Sequence, residues 1–148
     1  MVATWQLIVR KENSMDVSDL IFADYAAANE KGKFTLVGAG FSEIQAVKLP
    51  CIHPLMFLLV RLKVTIQDKG RNKIEIRLIG EKGMIFKAEV DLDVSNEHAE
   101  EQYLPLPIQL VNLKFDFAGD YSTEVRINGE LKQSHNLKIK FIEPQGAK

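Results

Sequence analysis

Cys51 and His53 are the two residues of this sequence that could act together in thiol chemistry. A thiolate nucleophile requires a nearby base, and residues two apart in an extended segment lie on the same side. Pro50 and Pro54 flank the pair, and no asparagine or aspartate that would orient the histidine is identifiable. The favoured interpretation is a loop cysteine and a solvated histidine before a strand. The alternative is a thiol or hydrolytic enzyme.

A second group combines histidine with carboxylates and consists of Glu97, His98, Glu100 and Glu101. These residue types can bind a divalent metal, but a zinc site requires three or four ligands from fixed positions. Nothing in the sequence places the other two histidines nearby. We therefore favour a polar loop between two strands and keep a metal site as the alternative.

Three carboxylates alternate along one segment, at Glu89, Asp91 and Asp93. On a strand they share one face at successive spacings of about 7 Å, which is too wide for neighbours to hold one ion. Either this face is solvated, or it is complementary to a basic strip on the next strand or on a partner. Lys138 and Lys140 form one such strip.

Asp24 and the glycines at 38 and 40 are less specific indications of a functional site. Asp24 shares strand parity with inward-facing residues, and we expect it to cap the loop at 26–29 rather than act as a general acid. Glycines inside a strand indicate a bulge, or alternatively a ligand that approaches bare backbone.

Known catalytic and cofactor-binding motifs are missing from the sequence. It has no nucleophile-elbow serine, phosphate-binding loop or dinucleotide fingerprint, so we predict no catalytic residue and no cofactor. The formal net charge of -1, with both signs interspersed, argues against nucleic-acid binding. No apolar run is long enough to span a membrane, and the first ten residues do not resemble a signal peptide. The single cysteine favours a reducing compartment, and we expect a cytoplasmic protein.

Alternation of apolar and polar residues recurs along the chain and predicts strands with one buried face. Asn128-Gly129 between two alternating runs predicts a type I′ hairpin. The continuously apolar stretch 55–60 predicts a central strand that is covered on both faces. Strands are predicted near 18–27, 33–45, 54–67, 72–79, 84–94, 104–115, 120–128 and 131–142.

The segment 115–121 resembles the corner before a late strand of immunoglobulin-like sandwiches, where a tyrosine hydroxyl bonds the backbone a few residues upstream. Tyr121 would be this tyrosine corner. The disulfide of antibody domains has no counterpart, because Thr123 stands two residues later. We therefore predict an all-β, immunoglobulin-like two-sheet antiparallel sandwich of about seven to nine strands.

Three sequence motifs resemble those of a family of small uncharacterised bacterial β-sandwich proteins, a domain of unknown function. They are Phe22-Ala23-Asp24-Tyr25, the stretch 32–40 with its glycines and Phe34, and Ala118-Gly119-Asp120-Tyr121. The resemblance extends over 22–141. It implies a prokaryotic or phage source and an immunoglobulin-like fold, and it implies no activity.

The first residues form an arm with its own pattern. Trp5, Leu7 and Val9 alternate with polar neighbours, and a polar connector at 11–14 follows. We divide the chain into this arm and connector (1–14), a sandwich domain (15–143) and a tail (144–148). The arm is an extra strand of its own domain, a strand exchanged with a partner, or an extension ahead of a natural start at Met15.

Three functions fit these features. The first is a non-enzymatic protein-interaction or assembly module that associates with itself or with a protein partner through the arm or its sheet edges. The second is a small-ligand-binding sandwich, for example for a carbohydrate, although most aromatic residues have inward parity. The third is the thiol or hydrolytic enzyme.

Overall fold

The structure is a computed structural model that describes residues 15–95 and 101–143. Within these ranges the chain is almost entirely β-strand, with two single-turn 3-10 helices at Glu30–Gly32 and Ile66–Asp68. None of the described helices has the length and apolar character needed to cross a membrane. The strands are β1 Asp16–Ala23, β2 Tyr25–Ala28, β3 Phe34–Val37, β4 Glu43–Ala46, β5 Cys51–Val64, β6 Gly70–Gly80, β7 Gly83–Val94, β8 Gln102–Phe115, β9 Gly119–Ile127 and β10 Glu130–Phe141.

The described strands form three sheets. A three-stranded sheet has the order β1-β5-β8, a five-stranded sheet has the order β4-β10-β9-β6-β7, and β2 pairs with β3 alone. Neighbouring strands are antiparallel except β4 and β10, which are parallel. The all-β prediction with more than one sheet is confirmed.

The core lies between the three-stranded and five-stranded sheets. One cluster of buried side chains includes Leu58 and Val60 of β5 together with Ile76 of β6 and Val125 of β9. All four are at most 1% exposed. The apolar faces that alternation predicts for these strands therefore meet each other and exclude water.

Strand β5 is covered on both faces, as the apolar stretch 55–60 predicts. Leu58 and Leu59 point to opposite faces, and both are buried. The β2–β3 pair lies over the outer face, where the Tyr25 and Phe57 rings are 5.4 Å apart in an edge-to-face contact. The guanidinium of Arg61 lies 4.3 Å from the centroid of the Tyr103 ring on the same face.

The predicted strand count, the two-sheet arrangement and the uniform antiparallel pairing were wrong. The structure has ten strands in its described ranges, because the predicted strands 18–27 and 33–45 are each divided in two. The first breaks at Asp24. The second breaks where Gly38 and Gly40 adopt φ of 60° and 94°, which turns the chain from β3 toward the other sheet. The stretch 38–40 is therefore a crossing between sheets rather than a bulge within one strand.

The predicted hairpin at Asn128-Gly129 is confirmed. Their φ angles are 51° and 86°, as a type I′ turn requires, and the turn joins β9 to β10. The Asn128 side chain also accepts a hydrogen bond from the Lys73 backbone N–H and donates one to Asn72, both at 2.9 Å. These bonds attach the turn to β6.

Candidate functional site

A pocket opens at one end of the molecule, between the β6–β7 turn and the β8–β9 loop. Its volume is about 340 Å³, within the range of small-molecule sites. The pairing of β6 with β9, in which Ile79 lies opposite Ser122, brings the turn and the loop together. We call this cavity the end pocket. It is lined by Gly80, Glu81, Lys82, Gly83, Met84, Ile85, Asp116, Phe117, Ala118, Asp120 and Tyr121.

Tyr121 links the walls of the end pocket. Its hydroxyl donates a 2.8 Å hydrogen bond to the Phe117 carbonyl, four residues upstream, which is the bond expected of a tyrosine corner. Its ring packs edge-to-face on Phe115, with centroids 5.1 Å apart. A Cβ on Gly80 would lie 2.5 Å from the Tyr121 ring, so the glycine makes room for the aromatic side chain.

The end pocket is acidic, with an aromatic wall. Its lining has three acidic residues, Glu81, Asp116 and Asp120, and one basic residue, Lys82. The Lys82 ammonium lies 5.7 Å from the centroid of the Phe117 ring, which is 51% exposed. Burial raises the pKa of the Tyr121 hydroxyl, and the negative charges of Asp116 and Glu81 raise it further, against the lowering effect of its hydrogen bond to Phe117.

The possible thiol pair lies on β5 instead of in a loop, because the strand begins at Cys51 and not at Pro54. Both side chains are half-buried while Ile52 is exposed, so Cys51 and His53 do share one side. Cys51 packs against the core cluster, and no hydrogen bond joins it to His53 in this described strand. Residues two apart on a strand are about 7 Å apart, which is too far for direct proton transfer. The positions of Cys51 and His53 are therefore those of structural residues at the start of a strand, and not those of a nucleophile and its base.

The structure leaves most of the predicted metal group untested. Glu97, His98 and Glu100 lie outside the described residues. Glu101 accepts a hydrogen bond from the Tyr103 hydroxyl at 3.1 Å and lies 3.5 Å from the Lys63 ammonium. Among the described residues, no three histidine, cysteine or carboxylate side chains converge in a way that could hold a metal ion.

The acidic row of β7 is complemented within its own sheet. Glu89 lies 3.2 Å from the Lys73 ammonium on β6 and 3.3 Å from that of Lys87. These hydrogen bonds, the one from Lys73 first, lower the pKa of the Glu89 carboxyl. Pairing of this row with Lys138 and Lys140 on a neighbouring strand was wrong, because two strands, β9 and β6, separate β10 from β7. Pairing with the basic strip of a partner stays a prediction.

Asp24 was wrongly expected to cap the loop at 26–29. It is exposed at the break between β1 and β2, where its backbone N–H donates to the Val37 carbonyl at 3.0 Å. Its carboxylate occupies the space that a side chain on Gly38 would need. The bare backbone at 38 therefore accommodates a side chain of the protein itself.

The edges of the three-stranded sheet differ in character. The outer side of β8 carries Pro105 and Pro107, which cannot donate to an added strand. Strand β1 has no proline, and its side away from β5 has no ladder partner among the described strands. The predicted interaction residues Trp5, Leu7 and Val9 lie outside the described residues.

A few of the described aromatic side chains are exposed. Tyr25, Phe117 and Phe141 are each about half exposed. Tyr25 and Phe117 stand at a strand start and in a loop, where alternation does not apply, and Phe141 is the last residue of β10. The other aromatic side chains of the described ranges are buried or half-buried, in agreement with the inward parity of most aromatic residues.

Sequence reasoning missed the end pocket. One of its walls lies in the segment 115–121, which the sequence analysis recognised as a corner, and the other is the turn between β6 and β7. Their contact depends on the pairing of β6 with β9, which joins segments far apart in sequence. The available local signal was Phe117, which lies between Asp116 and Asp120 in the sequence.

Comparisons with known proteins identify a family but no activity. A search of curated proteins finds no match. One solved structure with a similar region is the Pseudomonas fluorescens alkylpurine DNA glycosylase AlkC bound to DNA containing an abasic site analog, at 13% identity and a TM-score of 0.42. The similarity covers 67% of this chain and 28% of that one, so the chain spans less than a third of that protein. A family model matches residues 18–140, and the chain belongs to this family of unknown function, DUF6941.

Proposed function

We propose that this protein is a non-enzymatic assembly module in which residues 3–9 of one copy add as a strand to β1 of a second copy. The side of β1 away from β5, which has no ladder partner among the described strands and no proline, is the observation that carries the proposal. Near its end, the Phe22 carbonyl already accepts a hydrogen bond from the Gly40 backbone N–H at 2.8 Å. An unpaired edge presents backbone donors and acceptors that an extended segment can satisfy.

The dimensions of the arm match this edge. Seven extended residues span about 23 Å, and the six residues of β1 before Phe22 span about 20 Å at 3.3–3.4 Å per residue. Six residues, 10–15, connect the arm to β1 and reach at most about 20 Å. Met15 is fully buried in the core, so the arm is joined to the molecule directly beside β1.

The side chains of the arm suit the rim of the sandwich. Trp5, Leu7 and Val9 would share one face of an added strand, next to the row that contains Leu20 and Phe22 on β1. Covering Trp5 and Leu7 removes large apolar surfaces from water, each worth roughly 1.5–3 kcal/mol when fully buried. Reciprocal exchange between two copies closes a two-fold dimer and leaves no further edge of this kind open.

Two other edge strands, β8 and β7, are less suitable acceptors of an added strand. Pro105 and Pro107 interrupt β8, and β7 displays the charged row that contains Glu89. Charged side chains on an edge strand disfavour pairing with another chain. These differences support β1 as the acceptor of the arm.

The proposal also covers the relationship of the fold, the cellular location and the source of the protein. The hydrogen bond of Tyr121 to Phe117 supports an immunoglobulin-like relationship of the fold. The lone Cys51 supports a reducing compartment, and we propose a cytoplasmic protein of bacterial or phage origin. Cell fractionation of the source organism tests the location, and recovery in an extracellular or periplasmic fraction would contradict it.

Two substitutions in the arm test the proposal. Leu7→Asp places a charge on the apolar face, and Gln6→Asp places the same charge on the opposite face. We expect sedimentation velocity to show a dimer for the unmodified chain and for Gln6→Asp, and a monomer for Leu7→Asp. Equal masses for the two variants would contradict the assigned face, and a monomeric unmodified chain would contradict assembly itself.

A further inference from the structure

We propose that the end pocket binds an organic cation with an apolar stem, such as an alkylammonium group or the side chain of lysine or arginine. This inference is independent of the N-terminal arm. Its basis is a cavity of about 340 Å³ that combines an exposed aromatic ring with an excess of carboxylates.

The Phe117 ring is the first recognition element. A cation within about 6 Å of an aromatic centroid is attracted by the negative face of the ring. The Lys82 ammonium already stands at 5.7 Å, so one cation of the protein uses this ring. A ligand cation would displace Lys82 or take the free face.

The charge of the lining is the second element. Glu81, Asp116 and Asp120 oppose Lys82, which leaves more carboxyl groups than basic groups in the lining. Asp120 accepts a 3.0 Å hydrogen bond from Asn136, and Lys114 lies 3.6 Å from Asp116. Charge-assisted hydrogen bonds to such carboxylates favour ammonium or guanidinium donors over neutral hydroxyl groups.

The apolar part of the lining selects the stem. Met84, Ile85 and Ala118 supply carbon surface beside the Phe117 ring. The Tyr121 hydroxyl donates its hydrogen bond to the Phe117 carbonyl, so its O–H is already used as a donor within the protein. A neutral sugar would need donors as well as acceptors, and the acidic lining supplies mainly acceptors.

The test is an NMR titration of the full chain that follows the backbone amides of 80–85 and 116–121. The probes are butylammonium chloride, its neutral counterpart 1-butanol, glucose, and an acetylated and amidated Gly-Lys-Gly peptide. We expect saturable shifts with butylammonium and binding about tenfold tighter than with 1-butanol, since one added charged contact is of that order. Equal binding of 1-butanol, preferred binding of glucose, or no saturable shift would overturn the proposal.

Three variants localise the effect. Phe117→Leu keeps an apolar side chain but removes the ring, and we expect several-fold weaker butylammonium binding. Phe141→Leu, at an exposed aromatic outside the pocket, should leave binding unchanged. Lys82→Met removes the competing ammonium and should strengthen binding several-fold, and weaker binding by this variant would overturn the role of the ring face.

The peptide arm of the titration distinguishes the source of the cation. Binding of Gly-Lys-Gly at least as tight as that of butylammonium indicates a side chain of a protein partner. Binding of butylammonium alone indicates a free amine.

Discussion

Gly80 and Tyr121 determine the shape of the end pocket at the residue scale. The ring of Tyr121 occupies the space beside the bare backbone of Gly80, and its hydroxyl holds the Phe117 carbonyl. The position of the pocket wall therefore depends on a close approach between ring and backbone that no other residue at 80 would permit.

Gly80→Ala should destabilise the protein. The added methyl group would meet the Tyr121 ring at 2.5 Å, and overpacking of this kind typically costs about 1–3 kcal/mol. Urea unfolding of Gly80→Ala, Tyr121→Leu and the double variant measures the effect and its origin. A non-additive cycle is expected because the two residues touch, whereas additive losses would contradict the clash.

Thr123 is a buried hydroxyl without a hydrogen-bond partner among the described residues. The residue is 1% exposed within β9. Thr123→Val has nearly the same shape and removes the unsatisfied group, so the free energy of unfolding should rise by about 1 kcal/mol. Thr123→Ser, which keeps the hydroxyl and leaves a small cavity, serves as the control and should lower it. A less stable Val variant would contradict this account of the site.

At the scale of elements, charged side chains connect β6 and β7. Arg77 on β6 and Lys87 on β7 lie 2.9 Å and 3.2 Å from Glu75, whose side chain is 11% exposed. The hydrogen bond from Arg77, followed by that from Lys87, lowers the pKa of the Glu75 carboxyl against the opposing effect of burial. The hydrogen bond that the Lys87 ammonium donates to Glu75, followed by the one it donates to Glu89, raises the pKa of Lys87.

These shifts predict how stability depends on pH. Because the pKa of Glu75 is lower in the folded state, its contribution is present above the unfolded value of about 4.3 and is lost as pH falls through the folded value. Glu75→Gln should reduce stability at pH 7 and flatten its decline below pH ~4.5. Urea unfolding from pH 7 to pH 3 measures this. Glu143→Gln, at an exposed carboxylate, should keep the decline, and an unchanged decline in Glu75→Gln would contradict the assignment.

The elements that sequence patterns predict best are those from β5 to β10. Their alternation is regular, and the Asn128-Gly129 turn has a conformation that few other residue pairs adopt. The division of the first two predicted strands was missed. The breaks lie at Asp24 and Gly38, which contact each other although they are 14 residues apart in the sequence, and local patterns do not encode such a contact. The parallel pairing of β4 with β10 is likewise a long-range contact that local patterns do not encode.

The whole molecule offers two surfaces with different chemistry. The side of β1 away from β5 presents backbone groups without a ladder partner among the described strands, and the end pocket presents an aromatic ring with carboxylates. Sequence alone predicted the arm that would use the first surface, because Trp5, Leu7 and Val9 form a local pattern. It did not predict the second, because Phe117 and Glu81 meet only through the sheet pairing.

The central claim is self-association through the arm, and light scattering of residues 1–148 and 15–148 tests it most directly. We expect twice the chain mass of 16.7 kDa for the full chain and a single-chain mass for the truncated one. Matching circular dichroism spectra in the β region would show that truncation leaves the sandwich folded. A monomeric full chain at ~100 μM, where contacts of micromolar affinity are occupied, or an unchanged oligomer after truncation, would contradict the claim.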